Sequence, residues 1–141
     1  MTGGLERFVA AQEPVWDEVV AELRAGRKRT HWIWFVFPQI AGLGASHMSV
    51  RYAIASRGEA AAYLDHPVLG PRLRQVTDLM LGHAGESAQA ILGGIDAVKF
   101  RSSMTLFQAA APAETRFSAA LDAFFDGLPD PRTLAILAHR G

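Results

Sequence analysis

The sequence predicts an all-α fold, and three observations predict it. Apolar residues recur at helical spacing along every long segment. No segment alternates apolar and polar residues between hairpin turns. Glycine and proline punctuation leaves stretches of helix length and no internal repeat. A chain of 141 residues is near the usual size of one domain, so a single domain over residues 1–141 is expected.

The elements follow in order. Leu5, Phe8 and Val9 open a first helical turn or two. Glu13-Pro14 restarts the chain, and Val15, Trp16, Val19, Val20 and Leu23 continue at helical spacing. Asp17 and Glu18 stand early, Arg24 late, and Gly26 suits a stop, the charge order a helix dipole favours. Thr30 is placed to cap the aromatic run His31-Trp32-Ile33-Trp34-Phe35-Val36-Phe37; its length suits a short buried strand as well as a short helix, its helical surroundings favour the helix, and Pro38, Gly42 and Gly44 end it. A helix from about Ser46 to Ala55 follows, then one from Glu59 to Leu64 that stops before His66-Pro67. Leu69, Leu73, Val76 and Met80 stripe a longer helix reaching Leu81. Ser87 caps a short one ending at Gly93-Gly94. A central helix runs from Ile95 to Ala110 and ends at Pro112. Helices from Glu114 to Phe125 and from Asp130-Pro131 onward complete a count of seven to nine.

Composition sets bounds on function. Half the residues are hydrophobic, as in a packed core. Lys+Arg and Asp+Glu both number 14, so net charge offers no reason to seek nucleic acid or an acidic membrane. The stretch Met1 to Arg7 lacks a signal-peptide profile, and the longest apolar run, Trp32 to Pro38, is far short of the ~20 residues of a span. With no cysteine, these features point to the cytoplasm. No metal or cofactor is expected. There is no His-x-x-x-His pair, Gly42-Leu43-Gly44 lacks a following Lys-Ser/Thr, and Ser102 and Ser103 lie outside a Gly-x-Ser-x-Gly elbow.

The central helix carries the most informative polar residues. At about 100° per residue, Ile95, Val98, Ser102, Thr105, Leu106 and Ala109 share one side, and Phe100, Met104 and Phe107 cover another. The sector around Ala97, Arg101 and Gln108 is left for solvent. Asp96, Lys99 and Ser103 form a line between the apolar sides. Two readings stand: an internal Asp96–Lys99 pair with Ser103 bonding a carbonyl, or a cleft where Lys99 meets an anion. His31 and Gln39 bracket the aromatic run, which is apolar enough to pack on this helix. The expectation is that His31 and Lys99 share a cavity wall. The run Arg24, Arg27, Lys28, Arg29 reads as a solvated helix end.

The segments Gly26 to Gln39, Gly42-Leu43-Gly44, Tyr52-Ala53-Ile54, Glu59-Ala60, Tyr63 to Gly70 and Lys99 to Phe107 resemble the bacterial and fungal family catalogued as domain of unknown function 1810. The resemblance covers nearly the whole chain in order, with Thr30 and Phe100 as departures from its usual serine and leucine. It implies a single all-α domain and no particular activity. Some members carry the label calpastatin, a name for long disordered inhibitors; this chain has the composition of a compact core.

The leading expectation is a binding domain for a small anionic or nucleotide-like metabolite, held in a cleft lined by aromatics, His31 and Lys99. Its candidate residues are His31, Trp34, Gln39, Tyr52, Asp96, Lys99 and Ser103. One alternative is a hydrolase- or transferase-type enzyme with His31 as general acid/base, Asp96 orienting and Lys99 holding negative charge. Another is a protein-interaction module with an exposed aromatic patch.

Overall fold

The computed structural model describes residues 4–140. The first three residues of the stretch read for a targeting signal therefore lie outside the described residues. The fold is all-helical, and its elements stand close to where apolar spacing puts them. Helix α1 (Glu6–Gln12) runs through a 3₁₀ turn (Glu13–Val15) into α2 (Trp16–Ala25). There follow α3 (Ile33–Val36), α4 (His47–Arg51), α5 (Arg57–Asp65) and α6 (Leu69–Leu81). The chain continues through α7 (Ala88–Leu92), α8 (Gly94–Ala110), α9 (Thr115–Phe125) and α10 (Pro131–Arg140). Counting the run from α1 to α2 once, the described residues form nine helical stretches. Among them, no helix is long and apolar enough to cross a membrane.

Local chemistry sets most boundaries. Pro14 sits in the first turn of the 3₁₀ segment, where its missing N–H costs nothing. Gly26 ends α2 at φ 74°, a left-handed conformation that glycine adopts without a Cβ penalty. Ser46, Ser56 and Ser87 each accept a backbone N–H at the start of α4, α5 and α7.

Helix α8 is the hub and touches α3, α5, α7, α9 and α10. Two chains of aromatic contacts meet on it. In one, Phe100 lies 4.8 Å from Phe37, which reaches Trp32 on one side, while Phe124 and Phe125 lie on the other. In the second, Phe107 joins Tyr63 at 5.4 Å and continues to Phe117 and Phe8. Tyr63 is fully buried, and burial pushes its phenol well above the usual range, although Gln12 donates to its oxygen.

Three expectations about elements need correction. Thr30 does not cap α3. Its hydroxyl donates to Glu22, which also accepts from the N–H groups of Arg29 and Thr30 and the indole of Trp32. The helix expected from Ser46 to Ala55 ends at Arg51, because Ile54 leaves it to pair with Ile40 in a parallel bridge. The first turns of α8 also face differently. Ile95 is 76% and Val98 62% exposed, whereas Ala97 is buried. The 128–130 segment covers that apolar side only further along, where Ser102 and Thr105 bond Asp130. Arg101, expected in solvent, donates to the carbonyls of Leu128 and Pro129.

Candidate functional site

The chain between α3 and α4 builds a cleft against α8 and α10. Pro38 ends the aromatic run, and backbone bonds then fix the loop. Ile54 N–H donates to the Gln39 carbonyl at 2.9 Å, and Ala41 N–H donates to that of Ile54 at 2.8 Å. Gly42 takes φ 104°, a glycine conformation. At Gly44 a Cβ would stand 2.7 Å from the Ser49 hydroxyl, so a larger residue there would force Ser49 to shift. Arg132, on α10, donates to the Leu43 carbonyl at 3.2 Å and ties the loop to the far end of the chain.

Two chambers adjoin here. The larger, about 390 Å³, is lined chiefly by Ile40, Leu43, Val50, Ala53 and loop backbone. The smaller, about 170 Å³, adds Val98, Lys99, Ser102, Asp130 and Arg132. Gln39, Leu43, Gly44 and Ser49 line both. No aromatic ring lines either one, so the expectation of an aromatic-walled cleft is corrected: the tryptophan and phenylalanine rings of the aromatic run and Tyr52 pack into or against the core instead.

The charges of the smaller chamber are unequally committed. Asp130 is nearly buried, and one carboxylate oxygen accepts from Ser102, from Thr133 N–H and from the Thr133 hydroxyl. It caps α10 and is held by the fold. Arg132 spends one donor on Leu43. Lys99 is half-buried and, among the described residues, has neither ion-pair nor hydrogen-bond partner for its ammonium.

The line Asp96, Lys99, Ser103 thus divides into three separate environments. Asp96 does not pair with Lys99. Its carboxylate takes Lys28 Nζ at 2.8 Å, and Lys28 also donates to the Thr30 carbonyl. The Lys28 side chain is only 6% exposed and lies over the Trp32 ring, so this residue is no part of a solvated charge run. The Lys28–Asp96 pair outcompetes Lys99 because the 27–32 segment, anchored by Glu22, brings the ammonium to the first turn of α8. Glu22 gathers those donors at a cost: burial alone would raise its carboxyl, but the bonds from Arg29, Thr30 and Trp32 outweigh burial and hold it below the ordinary range. Ser103 bonds no carbonyl; its hydroxyl is fully buried and without a partner among the described residues.

His31 is exposed and lines a different opening, with Leu92, Gly93, Gly94, Ile95 and Asp96. The expectation that His31 and Lys99 share a wall is therefore corrected: His31 goes with Asp96, Lys99 with Gln39. The physical reason is the Lys28 anchor, which holds the start of the aromatic run at the N-terminus of α8 while its end turns toward the middle. Tyr52 is buried against Phe8 and Phe35, and half-buried Trp34 packs on the core; neither lines the cleft. Of the seven residues proposed from sequence, the cleft holds Gln39 and Lys99. Ser49, Asp130 and Arg132 were not foreseen as site residues. Asp130-Pro131 signals only a helix start, and nothing local to Arg132 announces a partner at Leu43, 89 positions away. Among the described residues, no three His, Cys, Asp or Glu side chains are grouped to hold a metal.

Comparison with known proteins agrees with the fold. The crystal structure of the conserved hypothetical protein Rv1873 from Mycobacterium tuberculosis is similar over 98% of this chain and 99% of its own, with 52% identity and a TM-score of 0.95. No curated protein matches the chain in sequence. The family described as protein of unknown function DUF1810 matches residues 2–137, and the chain belongs to it.

Proposed function

We propose that this protein is a small-molecule binding domain whose ligand carries negative charge and is held in the cleft between the 39–53 segment and α8. The observation that carries the reading is Lys99. A half-buried ammonium loses hydration, and fixed groups in a protein normally replace it. Lys99 has none among the described residues, and it lines with Arg132 and Asp130 a chamber that shares a wall with an apolar one. An anion bound there would supply the missing acceptors and charge. The cleft has the mixture typical of ligand sites: a mostly apolar wall with a few convergent polar groups.

A thermal-shift screen of anionic metabolites against the parent and Lys99→Gln tests this. A ligand at about 100 times its Kd stabilises the fold by about 2.7 kcal/mol. Hits should be anions, and Lys99→Gln should lose them without lowering its own melting temperature. Anionic hits that survive in Lys99→Gln would contradict the reading.

One observation favours a second reading. His31 and Asp96 line the same opening, the pairing a general acid/base and its orienting carboxylate would need. Asp96, however, is already engaged by Lys28. Turnover of a hydrolysable substrate lost in His31→Ala would establish the enzyme reading.

A further inference from the structure

We infer that the ligand of this cleft is a carboxylate with a single negative charge on an apolar body, rather than a phosphate ester or a nucleotide; this rests on the reading of the cleft as an anion site. Charge balance is the first argument. The smaller chamber presents Lys99 and Arg132 against one fixed carboxylate, Asp130, a formal excess of one positive charge. Asp130 is not free to move aside, since three donors hold its Oδ2. One negative charge neutralises the chamber. A second would face Asp130 across the same chamber, where like charges repel.

The larger chamber supplies the second argument. No titratable side chain lines it, so nothing there receives a further charge. No ring lines it either, so a nucleobase would find no stacking surface. Ile40, Leu43 and Val50 suit a short alkyl or aryl body instead. Gln39, Leu43, Gly44 and Ser49 border both chambers, so one molecule can occupy the two together. The carboxylate then meets Lys99 and the free donors of Arg132, and Ser49 and Gln39 offer hydrogen bonds at the junction.

The test is calorimetric titration of the full chain at about pH 8, where a phosphate monoester is dianionic. The probes are sodium hexanoate, sodium acetate, hexanol and hexyl phosphate. Hexanoate should bind at least about tenfold more tightly than each of the other three, the scale of one charge-assisted contact or a few buried methylenes. Lys99→Gln should weaken hexanoate by a similar factor and leave hexanol unchanged. Val50→Ser changes an exposed position and adds no charge, so it should weaken hexanoate while leaving acetate unchanged.

Hexyl phosphate binding as tightly as hexanoate would overturn the single-charge inference and leave the anion site standing. Acetate matching hexanoate would overturn the apolar body alone. If neither hexanoate nor hexyl phosphate binds, or if Lys99→Gln does not weaken them, the anion-site reading itself falls.

Discussion

Ser103 and Lys99 sit one turn apart on α8, and their environments show how finely a helix wheel must be read. Both fall on the line between two apolar sides, yet Ser103 is sealed in the core and Lys99 reaches a chamber. An unpaired buried hydroxyl costs about 1–3 kcal/mol. Ser103→Ala removes that cost with little change of volume, so it should leave stability unchanged or raise it by up to about 1 kcal/mol. Denaturant unfolding measures this, and a loss above about 1 kcal/mol would show a partner for the hydroxyl. The two lysines make a complementary pair of predictions. Removing one member of a buried ion pair strands the other; Asp96 keeps 19% exposure, so Lys28→Met should cost about 2 kcal/mol, below the ~3–5 kcal/mol of a fully buried pair. Lys99→Gln strands nothing and should melt within a degree or two of the parent. Equal losses in both variants would mean that Lys99 also serves the fold. The sequence marked Asp96 and Lys99 as unusual because charge between two apolar sides demands an explanation. It did not show which cation Asp96 takes, since Lys28 reaches it through a tertiary contact 68 positions away.

At the scale of elements, capping and punctuation were legible, and connections were not. Gly26, Ser87, Pro112 and Asp130-Pro131 mark ends that the structure keeps, because each acts through its own backbone neighbourhood. Thr30 had the chemistry of a cap but gives its hydroxyl to Glu22, a side chain on another helix. The same Glu22 secures the start of the aromatic run, and Glu114 secures the start of α9 through Arg74 and Arg116. The bonds from Arg74 lower the Glu114 carboxyl; burial opposes them, and Arg116 adds to the lowering. Glu22 is lowered as well, its hydrogen bonds prevailing over burial. Folded values below the ordinary 4.5 mean that both groups contribute fully above that pH. Their contribution is lost as pH falls through the lower folded values. Melting temperature should therefore drop on acidification below about pH 4.5. Glu22→Gln and Glu114→Gln should each start lower and show a shallower acid limb. An acid limb as steep in both variants as in the parent would place the titrating groups elsewhere.

For the molecule as a whole, the all-α class followed from local signals, since helices stripe their apolar residues and end at glycine or proline whatever they pack against. The cleft followed less directly. It is assembled from the end of the aromatic run, a Gly-rich loop, the middle of α8 and the start of α10, four places joined only by folding. Sequence spacing isolates Lys99 and Gln39 as residues with something to explain. It cannot show that the Lys28–Asp96 anchor carries His31 to a separate opening. Which of the two openings receives an anion is therefore the decisive question. Backbone amide chemical shifts, followed while hexanoate is titrated into isotope-labelled protein, decide it. Binding in the cleft beside Lys99 should give concerted, saturable shifts at Leu43, Gly44, Ser49, Lys99 and Arg132, absent in Lys99→Gln. Shifts confined to His31, Gly93, Gly94 and Asp96 would contradict it.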